Sequence, residues 1–148
     1  MKDKWAEKWD EVSAKQWHER TILEEMEDSY YAKKRSFEER YNRLDDFRLL
    51  LQNGIEQNYE GSLAMLQGIG DNPHFEEARQ NLINMTEQAV QYNQDQFVYH
   101  RDKLEIEEEA FEQAYRKAHS EQEDKIDALH WELVKIDLAE QEEKKESY

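Results

Sequence analysis

The 148-residue chain has no cysteine, a single proline and only four glycines. Without cysteine there is neither a disulfide frame nor a thiolate zinc site. With Pro73 as the one proline and the glycines confined to positions 54, 61, 68 and 70, little interrupts a helix elsewhere. Leu, Ile and Val together make up fewer than one residue in five, too few for a compact globular core of this size. Long apolar runs are missing as well. None approaches the roughly 18 residues of a membrane span, and the opening "MKDKWAEKWDEV" lacks the apolar centre of a signal peptide. A cytoplasmic location is expected; export would rely on a signal in the folded helices or on a partner.

Basic side chains are also scarce. Lys and Arg number 20 against 36 Asp and Glu, a formal charge of −16. Nucleic-acid binding needs a basic stripe, and anionic membrane surfaces repel such a chain. Residues 1–70 carry 11 basic and 15 acidic groups and residues 71–148 carry 9 and 21, so the second half holds −12 of the total. That charge serves either as a solvated helix face or as a surface for a basic partner.

What is present is helix. Charged residues make up 38% of the chain and aromatics 11%, the profile of long helices with an aromatic-rich seam. From about residue 3 to 66, apolar positions recur at steps of three and four: Trp5, Trp9 and Val12, then Leu23, Met26 and Tyr30, then Phe37, Tyr41, Leu44, Phe47/Arg48, Leu51 and Ile55. Gly54 and Gly61 stand seven apart on one stripe, where they admit a close helix or weaken the last turns. Gly68 and Gly70 suit a helix end. Asp71 or Asn72 suits an N-cap, with Pro73 at the first helical position and Glu76 and Glu77 in the first turn. A stop followed at once by a start predicts a helical hairpin with its turn at 67–72.

The second helix is expected from about 73 to 140, ahead of a fraying tail at 141–148. Leu82, Met85 and Ala89 open its stripe. Phe97, Leu104, Phe111 and Ala118 recur at seven, and Ile126, Leu129, Leu133 and Ile136 resume after a one-residue shift. The fold class expected is therefore all-α, a single antiparallel two-helix domain on the order of 90 Å long. Folded at about residue 71, the chain pairs positions summing to roughly 142, and this places Leu133 beside Trp9 and Trp131 near Val12. Clustered tryptophans at the open end would form an aromatic clasp or a docking surface.

No catalytic or cofactor chemistry is expected. The histidines include no His-Glu-x-x-His, and the one helical Asp-x-x-His, Asp127 to His130, is half of what a diiron bundle needs on each of two helices. The "LQGIGDN" turn has no basic residue beside it to hold phosphate. No metal site, cofactor or nucleophile is assigned.

One spacing stands apart. In "HSEQEDKIDALH", His119, Glu123, Ile126 and His130 lie at offsets 0, 4, 7 and 11, on one helical face. This pattern resembles the H-x-x-x-[DE]-x-x-φ-x-x-x-H spacing in the second helix of WXG-type proteins, the small helical hairpins of type VII secretion. The chain is longer than those proteins, lacks Trp-x-Gly at its turn and shows no Tyr-x-x-x-[DE] signal. Its length and composition look more like the small α-helical companions of LXG-type toxins of Gram-positive bacteria. The resemblance implies a targeting factor or chaperone that binds the toxin's helical N-terminal domain, alongside a second small helical protein, with His119, Glu123, Ile126 and His130 as an export motif. Coiled-coil adaptors of the flagellar or type III export stalk are an alternative, although their second helix is commonly more basic. A self-associating scaffold is another.

A lone two-helix hairpin leaves part of its stripe uncovered, so a helical partner or a second copy is expected. From Leu49 to Phe75 only Glu56, Glu60 and Asp71 are charged. Leu51, Ile55, Leu63, Leu66, Ile69 and Phe75 are the expected partner-binding residues.

Overall fold

A computed structural model of the chain describes residues 3–69 and 73–147. Helix α1 spans Lys4–Gly68 and helix α2 spans Phe75–Glu146; the two pack as an all-α hairpin, with no strand among the described residues. Asp3 starts α1: its carboxylate accepts the Trp5 amide at 3.1 Å and its carbonyl the Glu7 amide at 3.1 Å, relieving two otherwise unpaired donors. At the other end the Ile69 amide donates to the Leu66 carbonyl at 3.2 Å, a tightened last turn.

The expected caps Asp71 and Asn72, and Gly70, lie outside the described residues. Pro73 and His74 form a turn, and α2 starts two residues later than expected. The His74 carbonyl receives the Ala78 amide at 2.9 Å, so the first full helical turn opens at Phe75. Helix α2 also runs to Glu146, through most of the expected tail. Lys144 pairs with Glu140 at 3.1 Å, and the last turn carries Lys144 and Lys145 against the helix dipole.

The expected register, a sum of about 142, is met at some pairs and exceeded at others. Paired residues across the helices sum to between 141 (Arg48 with Asn93, Glu19 with Gln122) and 148 (Trp5 with Glu143). Contacts divide the chain into two compact units, Met1–Lys34 with Ala110–Tyr148, and Arg35–Glu109.

In the first unit Leu133 is buried, and a Tyr30 cluster forms the aromatic centre. Tyr30 stacks on Tyr115 at 4.0 Å and on Phe111 at 5.7 Å between ring centres. Glu112 accepts the Tyr30 hydroxyl at 2.8 Å and pairs with Lys34 at 2.7 Å. Gln122 is buried too, donating to the backbone carbonyl of Glu19 at 2.8 Å. Among the described residues the expected packing of the tryptophans on one another is not seen: Trp5 donates to Glu143, whereas Trp9, Trp17 and Trp131 face solvent. Trp131 sits two positions before the inward Leu133, which turns it off the seam.

The one-residue shift in α2 falls earlier than expected. Ala118 is exposed and His119 half-buried, so the seam steps from Phe111 to His119 and continues at sevens through Ile126 and Leu133. In the second unit Phe37 is fully enclosed and Leu104 is buried. Asn93 is the buried polar residue, its amide donating to the Arg48 carbonyl at 3.1 Å. Arg40 grips Glu107 through two bonds of 2.9 Å, which holds its guanidinium above its ordinary pKa. Here too the seam differs by a residue from the sequence pattern. Arg48 and Gln52 are half-buried while Phe47 and Leu51 face outward; on α2, Met85 turns out and Thr86 in. A straight helix at 3.6 residues per turn drifts against a seven-residue repeat, so a long seam cannot keep one stripe.

Candidate functional site

The outward turn of Phe47, Leu51 and Met85 leaves an apolar surface on the second unit. On α1, Phe47, Leu51, Gly54, Asn58, Gly61, Met65 and Ile69 follow at steps of four and three, all exposed and none charged, with Leu50 alongside. On α2, Met85, Tyr92, Tyr99 and Ile106 are exposed at steps of seven. Residues at such spacings share one helix face. Between the helices runs a groove of about 410 Å³. Phe47, Leu51 and Ile55 line it from α1, and Ala89, Tyr92 and Gln96 from α2. Phe47 and Leu51 of the first stripe therefore face Tyr92 of the second across this groove. Beyond Leu44, Phe47 and His100 it opens into a second hollow bordered by Arg40, Arg43 and Lys103.

The six expected partner-binding residues do not share this surface. Leu51 and Ile69 are exposed on it, while Ile55, Leu63, Leu66 and Phe75 are half-buried. Leu50, Met65, Met85 and Tyr92, which the sequence reading left out, are more exposed than Leu51. Their signal was available: apolar residues on a second stripe, displaced from the seam, in a stretch poor in charge. A built Cβ on Gly54 or Gly61 meets nothing within 4 Å. Neither glycine is needed for packing inside the chain.

In the first unit the four residues of the His119 spacing are split. The two ring nitrogens of His119 lie 3.1 Å from carboxylate oxygens of Glu27 on α1 and Glu123 on α2. Ile126 is half-buried and His130 is exposed, its ring edge-on to Trp131 at 5.8 Å. His119 and Ile126 thus belong to the seam, with Glu123 and His130 at the surface. Beside them, the Lys34 ammonium and then the Tyr30 hydroxyl hold the Glu112 carboxyl below its ordinary range. The same hydrogen bond, from the other side, raises the Tyr30 phenol. Tyr115 is raised mainly by burial. The Glu112 and Tyr30 shifts come from cross-helix pairs that fasten the hairpin. Among the described residues no group of three or more His, Cys, Asp or Glu is placed to hold a metal ion, and no helix is long and apolar enough to cross a membrane.

Fold and surface together define an all-α helical-hairpin protein with an uncharged, outward apolar stripe on α1. The chain matches no protein-family model, no curated protein and no solved structure.

Proposed function

We propose that the chain is a non-enzymatic helix-recognition protein whose apolar face takes helices of another chain, and that it serves as a targeting factor or chaperone for an LXG-type toxin of type VII secretion. The observation that carries the reading is the uncharged outward stripe from Phe47 to Ile69, whose Phe47 and Leu51 end borders a groove with Tyr92 opposite. A helix laid in such a groove buries apolar side chains at i, i+3, i+4 and i+7 against both walls. The secretion part of the reading is supported by the resemblance described above, in the hairpin design and the His119, Glu123, Ile126 and His130 spacing. The −12 in the second half weighs against a stalk adaptor.

The test is co-expression with the helical N-terminal domain of an LXG toxin encoded beside this chain. A stable complex that purifies as one species is expected, and Leu50→Glu with Met65→Glu should abolish it while far-UV helicity stays. These two positions are exposed, so their charge does not enter the seam; Leu63 and Leu66, half-buried, would confound the result. Complex formation untouched by both substitutions would reject the surface. For the export motif, a His119→Ala, Glu123→Ala, His130→Ala variant should retain the complex and lose toxin export. Normal export would remove that role.

A further inference from the structure

The exposed stripe of α1 reads nearly the same from either end. Large apolar residues stand at both ends (Phe47 and Leu51, Met65 and Ile69), glycines lie inside them (Gly54 and Gly61), and Asn58 is at the centre. A two-fold contact between identical surfaces pairs residue i with j and j with i, and here each such pair of large residues would be apolar on both sides. We propose that this face is covered by a second copy of the chain, with the two α1 helices antiparallel and crossing at Asn58. The inference rests on the helix-recognition reading of the same face and names its occupant in the free protein; a hetero-partner would displace that copy.

Set antiparallel about Asn58, Phe47 falls opposite Ile69 and Leu51 opposite Met65. The glycines fall near the crossing, where missing side chains let two backbones approach. Nothing inside the chain uses that space, since a Cβ at either glycine meets no atom within 4 Å. Area points the same way. The four large apolar side chains of the α1 stripe, with Leu50 alongside and Met85 and Tyr92 of α2, are 40–75% exposed. At about 150–250 Å² for an aromatic side chain and less for Leu, Ile or Met, they leave roughly 700 Å² of side-chain surface open. Monomers rarely expose patches beyond roughly 300–600 Å², whereas a stable interface takes about 800 Å² from each partner. Electrostatics permits the contact: each copy carries −16, yet the stripe from Phe47 to Ile69 has no charged residue on it. Like charges are not brought face to face.

The experiment is mass in solution by sedimentation or light scattering on the full chain, over micromolar concentrations. The expected result is a species of twice the 18.0 kDa chain mass that dissociates on dilution, and that Leu50→Glu with Met65→Glu reduces to one chain. Gly54→Gln with Gly61→Gln separates association from folding. Helicity and thermal midpoint should hold or rise, while the dissociation constant weakens by about tenfold or more. Geometry is read with a single introduced cysteine, since the chain has none. Asn58→Cys should cross-link two copies under mild oxidation and Arg43→Cys should not. A mass of one chain throughout overturns the inference, as does a dimer that survives the glutamates or cross-links equally at both cysteines. Should the glutamate variant lose helicity, the glycine pair and the cysteines decide. A monomer that still captures the toxin domain rejects only this inference; a dimer that captures nothing rejects only the proposed function.

Discussion

Replacing the buried amide of Asn93 with leucine should stabilise the protein. Asn93 is 8% exposed, and its Nδ2 donates to the Arg48 carbonyl at 3.1 Å. The carbonyl's helical partner, the Gln52 amide, is unaffected by the change. Asn93→Leu therefore removes one neutral hydrogen bond, about 1 kcal/mol net, without leaving that acceptor unpaired. The leucine is close to the amide in size and brings about 2 kcal/mol of apolar burial in a seam position. The balance is a gain of about 1 kcal/mol. Asn93→Ala, by contrast, loses the bond and leaves a void, and should cost about 1–3 kcal/mol. Urea denaturation followed by far-UV circular dichroism resolves both. With a slope of about 1–3 kcal/mol per molar, the leucine variant's midpoint rises by roughly 0.3–1 M. Protein concentration has to be held fixed, because self-association shifts the midpoint by mass action. A leucine variant less stable than wild type, with unchanged slope, would refute the reasoning. It would mean that the amide does more than fill a seam position and bond one carbonyl.

Three further outcomes follow from the same contacts. Phe37→Ala, at the fully enclosed ring, should cost about 3–5 kcal/mol; a loss below about 1 kcal/mol in the urea midpoint would show that the ring is not core. Glu112 has its pKa depressed by Lys34 and Tyr30, so its contribution is complete above the ordinary carboxylate value of about 4.3 and fades as pH falls through the lower folded value. Glu112→Gln should flatten the loss of stability over that acid window, and an unchanged pH profile argues against the pair. Arg40→Lys replaces a two-pronged grip on Glu107 by one contact. Both side chains are partly exposed, so the thermal-melt penalty should stay within about 1 kcal/mol and shrink in high salt.

Much of the hairpin could be read from residue spacing. Steps of three and four, the Gly68 to Pro73 punctuation and complementary apolar positions fixed the helices and their register, because those signals are local or repeat many times. The seam's details could not be read so far. Asn93 and Gln122 occupy core spacings but are polar, and only the opposite backbone carbonyls of Arg48 and Glu19 make their burial affordable. Phe47 and Leu51 look like core in sequence, yet α1 drifts until Arg48 and Gln52 take the seam. The candidate surface emerged by the same drift: apolar residues counted as interior turned out to be exterior.

The separation between partners across the helices has its own bearing on how the chain forms. It rises from 45 residues at Arg48 and Asn93 to 67 at Arg40 and Glu107, 103 at Glu19 and Gln122, and 138 at Trp5 and Glu143. Closing the longer loops costs more entropy and waits on the shorter ones, so the hairpin zips outward from its bend. On a ribosome adding about 5–20 residues per second, the 72 residues of α2 take on the order of 4–14 s to follow α1 out. Over that interval the inner stripe of α1 is covered progressively, the Arg48 region first and the Glu19 and Trp5 regions last. The last contact to close is the one that ties the first helical turn to the last.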